Sequence, residues 1–340
     1  MSVIDVEKLL GEVSEEAPCG ENLEYDPAFQ AMELAGQGKP EQQMGDSVVA
    51  AEDPSWSELR DKALEVLERS RDLRAIVQLS RALLHTDGMT GLSDCLVLTK
   101  GLLEQRWDSV HPQLDPEDDN DPTMRLNALA TFGNQEIMVR VAREAPLVSS
   151  RGLGRYSLRD VFVATGKMDA PAGDDGPANL ATIDAAFMEC DLEELQTTAD
   201  AVNKAQETVR SIEGLLAEKV GSGSVPELAP LLDVLQQAGQ VLTDRLSRRG
   251  VVTTEDGGQA GEAAAAPAAA PAAGEINSRE DAMRMLDKIS DYYTRTEPSS
   301  PVPLILQRAK RLMSKNFMEI MRDLAPDGLK QAKNITGLEE

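Results

Sequence analysis

The residues best able to do chemistry sit in one string, HPQLDPEDDNDP, His111 to Pro122, where five acids and three prolines fall within twelve residues. Carboxylates at alternate positions are what a calcium loop uses, with ligands at its odd positions, a closing bidentate glutamate and a glycine at its sharp turn. Counted from Asp115, the odd positions give Asp115, Glu117, Asp119, Asp121 and Thr123. The turn position holds Asn120 and the closing position Leu126, so both glycine and glutamate are missing. The other reading is a stiff, water-facing connection. Asp121 is placed to cap a helix, Pro122 suits its first position, and the remaining acids lie near the positive end of the helix dipole. That reading predicts a helix through TMRLNALATF and no metal ligands.

Other chemical candidates are thinner. His85 and His111 are the chain's histidines, and His111, just before Pro112, fits a helix C-terminal cap interaction. There is no GxSxG or HExxH, Cys19 has no evident base nearby, and Gly152 and Gly154 form only a GxG with no preceding strand and no lysine. The expectation is no catalytic, cofactor-binding or metal residues, no cofactor, and no enzymatic activity.

The elements that must carry these residues are helices. Of 340 residues, 41% are hydrophobic but only 3% aromatic, so cores must be built from Leu, Ala, Val, Ile and Met, which suits helices. This length holds about two or three domains. A net charge of −25 disfavours nucleic acid and anionic membrane surfaces as partners. Cys19, Cys95 and Cys190 are widely spaced with no CxxC, which fits a reducing compartment. The opening MSVIDVEKLL lacks a basic region followed by an apolar core, and no stretch approaches the roughly 18 apolar residues of a membrane span. The chain therefore reads as soluble and cytoplasmic, without membrane insertion.

In WSELRDKALEVLERSRDLRAIVQLSRALL, Trp56 to Leu84, apolar residues recur every three or four positions, with a break at Ser70-Arg71-Asp72 that predicts two antiparallel helices. HTDGMTG, His85 to Gly91, reads as a turn, and Leu92 to Trp107 as the next helix. Trp107 reads as a packing residue rather than a contact. SSRGLGRYSLRD, Ser149 to Asp160, reads as a loop entering a short ordered segment. Thr182 to Leu216 and Val225 to Leu246 read as a long helical hairpin. The predicted division is an N-terminal domain over 1–166, a linker over 167–181, a middle helical hairpin over 182–250, an Ala/Pro/Gly-rich linker over 251–277 and a C-terminal domain over 278–340.

The second linker is the clearest boundary. GGQAGEAAAAPAAAPAAGE, Gly257 to Glu275, has almost no large apolar side chains, and about 25 residues of such chain reach on the order of 25–30 Å. Beyond it, Asn277 and Glu280 form a capping-box signal. Leu286, Ile289 and Tyr293 make one apolar stripe, and Ile305, Leu312, Phe317 and Ile320 another. Two such helices bury little area alone, so these residues are the candidate self-association surface. From Pro301 to Gln331 six basic residues face three acids. Arg308, Lys310, Arg311 and Lys315 are the candidate contacts for an acidic partner.

PCGENLEYDPAF at 18–29, DPSWSELRDKALEVLERSRDLR at 53–74, RWDSVHPQLDPEDDNDPTMRLNAL at 106–129 and YSLRD at 156–160 resemble the ImpA N-terminal domain, which defines the TssA family of bacterial type VI secretion. SREDAMRMLDKISDYYTRTEPSSPVPLILQRAKRL, from Ser278, resembles the C-terminal module of that family's shorter class, itself similar to a phage baseplate wedge protein. The resemblance implies a mainly α fold and a structural role as a baseplate-associated, ring-forming component that helps recruit and prime tube and sheath assembly. The implied partners are further copies of itself, baseplate, tube and sheath components and the membrane complex. The implied location is cytoplasmic, recruited to the apparatus at the inner membrane. A monomeric adaptor docking through its tail, and a cap at the distal sheath end, are the alternatives.

Overall fold

The computed structural model describes residues 2–38, 42–44, 47–49, 52–169 and 179–251, together with Leu286, Ser290, Val302 and Leu306. Contacts divide the chain into Met1–Asp256 and Gly257–Glu340. In the second unit, Leu286 is helical and half-buried. Ile289, Tyr293, Ile305, Arg308, Lys310, Arg311, Leu312, Lys315, Phe317 and Ile320 lie outside the described residues.

The first unit is mainly helical, as the composition predicts, with eleven α-helices among the described residues. A short α1 (Val6–Leu10) and α2 (Pro27–Ala35) precede α3 (Trp56–Arg69), α4 (Leu73–Thr86) and α5 (Gly88–Gln105). Between α2 and α3, β1 (Gln42–Met44) pairs antiparallel with β2 (Ser47–Val49). Then follow α6 (Thr123–Ala130), a 3-10 turn at Thr131–Gly133, a π turn at Gln135–Val139 and α7 (Arg140–Glu144). The expected loop at 149–160 is an antiparallel hairpin of β3 (Pro146–Ser150) and β4 (Gly154–Ser157), leading into α8 (Leu158–Ala164). Ser157 and Asp160 form a reciprocal capping box at its start. The chain ends this unit with α9 (Leu180–Glu189), α10 (Leu192–Val220) and α11 (Ala229–Arg248).

The predicted pair over 56–84 forms as α3 and α4, each burying its apolar stripe. Asp72 caps α4 by accepting from the Arg74 N–H at 2.8 Å. The turn expected over His85–Gly91 is shorter than that. Gly88 adopts φ 65°, and helix resumes at once. Gly91 lies inside α5, where an added Cβ would stand 2.6 Å from the Leu83 Cβ, so its missing side chain lets α5 lie against the end of α4. α5 is buried nearly all round, from Met89 and Leu92 to Leu102 and Leu103, which places it at the centre of the unit.

Two expectations about 182–250 are corrected. Thr182 to Leu216 is not one helix: it breaks at Cys190-Asp191, where the Asp191 carboxylate accepts from the N–H groups of Glu193 and Glu194 and starts α10 afresh. Nor is the hairpin a domain of its own. α10 packs along α5 as well as along α11. It buries Leu195, Ala199, Val202, Ala205, Val209, Ile212 and Leu216, a stripe at spacings of three and four, and these belong to one core with α3, α4 and α5. Gly133 shows how close the approach is, since a Cβ there would lie 1.9 Å from the Glu227 carbonyl oxygen just ahead of α11.

Candidate functional site

The segments that carry the sequence signature meet in one seam between helix ends. The stretches around Cys19–Glu21, Ser70–Asp72 and Val110–Pro112 run side by side. Arg71 donates its N–H to the Cys19 carbonyl at 2.7 Å, His111 to the Arg71 carbonyl at 2.9 Å, and Leu73 to the His111 carbonyl at 2.8 Å. Gly20, at φ 72°, is held so close that a Cβ would lie 2.1 Å from the Arg69 carbonyl oxygen. This backbone pairing satisfies polar groups that burial would otherwise leave without partners.

Three arginines hold the seam. Arg125, on α6, is fully buried, and its guanidinium donates to the carbonyls of Trp107, Val110 and Pro112 while lying 5.0 Å from the centre of the Trp107 ring. A planar five-donor head is the side chain suited to bind three carbonyls on one curved segment. Burial lowers its pKa to about 10, with the Asp108 carboxylate and Cys19 acting the other way. Arg71 donates to the carbonyls of Leu67, Gly11 and Lys8, and burial lowers its pKa. Arg74 bonds Asp72 at 2.8 Å and Glu24 at 3.1 Å and covers the Phe29 ring at 4.7 Å. Burial pulls its pKa down, but the two carboxylates outweigh burial and raise it. Arg69 holds Asp26 at the start of α2 with two hydrogen bonds, at 3.1 and 2.7 Å.

His111 is not a helix-end cap as expected. It is buried, its peptide bond to Pro112 is cis, and its Nε2 lies 3.0 Å from the Gly20 carbonyl oxygen. The motif histidine therefore ties the 106–112 segment to the 18–29 segment. Trp107 is half-buried and packs on the core, with the Lys219 ammonium of α10 5.8 Å from its ring centre.

The acidic string leaves this seam as an outward turn. Asp121 donates its N–H to the Asp118 carbonyl at 2.9 Å, with Asp119 and Asn120 between them at φ 51° and 60°, which is the geometry of a two-residue hairpin turn. Asp115 accepts from the Glu117 N–H at 2.9 Å, and Asp121 accepts from the Thr123 hydroxyl at 2.9 Å. The carboxylates of Asp115, Glu117, Asp118 and Asp119 face water. Among the described residues no group of His, Cys, Asp and Glu is arranged to hold a metal ion. Pro122 itself occupies the cap position of α6, one residue later than expected.

Sequence reasoning placed the motif but missed the arginines that make it. The signal for Arg125 is its position: it stands four residues before Leu129, on the apolar face of α6, where a lone cation needs buried acceptors.

The fold and this seam define a mainly helical domain whose signature residues hold backbone segments in register around a displayed acidic turn. The family described as ImpA, N-terminal, type VI secretion system matches residues 10–134. A relative from Pseudomonas aeruginosa, described as type VI secretion system component TssA1, is 42% identical over 347 residues, covering 99% of this chain and 99% of the relative. A solved structure of the N-terminal domain, including the conserved ImpA_N region, of the TssA component from Burkholderia cenocepacia is similar with a TM-score of 0.59 and 25% identity, covering 74% of this chain and 97% of that one. This chain belongs to the TssA family of type VI secretion components.

Proposed function

We propose that the chain is a baseplate-associated, ring-forming assembly component that helps recruit and prime the tube and sheath of the type VI secretion system. The observation that carries this is similarity to a TssA1 component over 99% of both chains, which includes the C-terminal segment as well as the ImpA region. The Ala/Pro/Gly-rich stretch over 251–277 would let the N-terminal unit reach outward from a ring built by residues 278–340. Its oligomerising residues are Leu286, Ile289, Tyr293, Ile305, Leu312, Phe317 and Ile320, and its partner contacts are Arg308, Lys310, Arg311 and Lys315. Copies held together on a ring raise the effective concentration of each N-terminal unit, so weak single contacts to baseplate, tube or sheath subunits add up. No helix among the described residues is long and apolar enough to cross a membrane, and the proposed place of action is the cytoplasmic side of the apparatus at the inner membrane. The chemistry in hand is that of holding and presenting, and the proposed role is non-enzymatic.

Light scattering behind a sizing column tests the reading on the full chain and on one ending at Gly274. A large full-length assembly that falls to monomers or dimers on truncation is the expected result. A full-length monomer overturns the ring and favours an adaptor that docks singly.

A further inference from the structure

A groove of about 840 Å³ lies between the N-terminal segment with α1, α5 and α10. Its floor is α5 from Thr90 to Val97, and the facing stretch of α10 runs from Thr197 to Lys204. Each spans about two turns of helix, so the groove is about 10 Å long. Its apolar lining is Ile4 ahead of α1, Val6 and Leu10 of α1, Val97 of α5 and Ala201 of α10.

The charge in it is one-sided. Asp5, Glu7, Asp94 and Asp200 line it against the single cation Lys204. Asp94 is 7% exposed, and its Oδ2 accepts from the Ser2 hydroxyl at 2.8 Å and the Val3 N–H at 2.6 Å, but among the described residues it has no ion-pair partner. Beside it Ser93 is 2% exposed, and its hydroxyl has no hydrogen-bond partner among the described residues. The Ser93 hydroxyl, unpartnered among the described residues, is the polar group this lining leaves open, and such a buried group is costly to leave unmatched.

We propose that this groove docks a short amphipathic segment of a partner protein, carrying a lysine or arginine beside an apolar face. The cation donates to Asp94 and the Ser93 hydroxyl, and the apolar face covers Val6, Leu10, Val97 and Ala201. Complementarity of charge selects the occupant: four carboxylates against one ammonium attract a basic segment and repel an acidic one. The assignment concerns the Met1–Asp256 unit and stands whether or not the chain forms a ring.

The probe is a fluorescein-labelled helical peptide with lysines flanking a leucine face, titrated by anisotropy against the full chain. Saturable binding is expected, weakened about tenfold by Asp94→Asn and by Asp200→Lys, as loss of a charge-assisted contact does, and by replacing the peptide's lysines with norleucine. Glu117→Lys, in the acidic turn and outside the groove's lining, changes the net charge by the same amount as Asp200→Lys and leaves the affinity within about twofold. Absence of saturable binding, or equal weakening by Glu117→Lys, overturns the site in favour of diffuse attraction to an acidic chain. Asp200 is exposed, so its variant decides between these outcomes if Asp94→Asn disturbs the fold. Self-association abolished by Asp200→Lys in light scattering would instead assign the groove to a second copy and overturn the partner assignment.

Discussion

Arg125 donates to the backbone carbonyl of Trp107 and lies over the ring of that same residue, so one buried guanidinium fixes both the main chain and the side chain of the motif tryptophan. The contact joins α6 to the loop that leaves α5. It also sets where the acidic turn begins, because the other two acceptors, Val110 and Pro112, belong to the same loop.

Arg125→Met removes the donors and leaves three carbonyls facing a side chain that cannot pair with them. The expected cost is about 3–5 kcal/mol, summed over buried acceptors left unmatched. Arg125→Lys restores a charge but not the planar fork, and should recover less than half. Urea unfolding read by tryptophan fluorescence measures both, and equal midpoints for wild type and Arg125→Met would show that the guanidinium holds nothing.

Asp119 sits at φ 51° in the exposed turn, a conformation glycine adopts freely and β-branched residues resist. Asp119→Gly should raise stability by up to about 1 kcal/mol, and Asp119→Val should lower it by about 1–2 kcal/mol. Excess calcium or EDTA should leave the melting temperature unchanged, since the loop lacks the turn glycine and the closing bidentate glutamate of a calcium site. A calcium-dependent rise in melting temperature would refute the reading of the string as a turn without metal ligands.

Gly133 and Gly214 make a matched pair. A Cβ at Gly133 would meet the Glu227 carbonyl oxygen at 1.9 Å, whereas one at Gly214 has nothing within 4 Å and lies inside α10. Gly133→Ala should lose about 3 kcal/mol or more as α11 is pushed off the core. Gly214→Ala should gain about 0.5–1 kcal/mol from helix propensity. Thermal melts of the two variants test directly whether the hairpin belongs to the N-terminal unit, and a Gly133→Ala protein as stable as wild type would separate them.

His85 stacks on Trp56 at 3.7 Å between ring centres. Burial lowers its pKa, Asp53 acts to raise it, and Arg81 and Arg140 lower it further. A histidine with a depressed folded pKa binds fewer protons folded than unfolded. Its contribution is therefore full above the unfolded value of about 6.5 and lost as pH falls through that value towards the folded one. Stability should rise with pH across this window, and His85→Gln should flatten the slope. A slope unchanged in the variant would assign it to other groups.

Much of the helical framework is legible in the sequence because amphipathic spacing is local. α3 and α4 follow from the stripe in 56–84, and the break between them from Ser70-Arg71-Asp72. The pattern misleads where a local signal points one way and packing another. HTDGMTG looks like a turn, yet helix resumes at Gly88, and Gly91 inside it is the residue that fits against Leu83. Thr182 to Leu216 looks continuous, yet Asp191 caps a new helix in its middle. The acidic string reads as a turn beside a helix start and forms one, because Asp119 and Asn120 tolerate the left-handed backbone that a two-residue turn requires.

The sequence by itself determined that this chain would be mainly helical, that its motifs resemble the ImpA region, and that an Ala/Pro/Gly-rich stretch follows residue 250. Those follow from composition, short-range periodicity and residue identity. Tertiary structure decided that Cys19, Arg71 and His111 share a seam, that Arg125 binds three carbonyls of one loop, and that α10 lies along α5 to make a single core. It also decided that, among the described residues, Asp94 lacks a cation and the Ser93 hydroxyl lacks a hydrogen-bond partner beneath a groove. Each of these depends on residues brought together from separate segments. The free energy that brings them together comes from burying apolar surface, which no local pattern can assign to a particular pair.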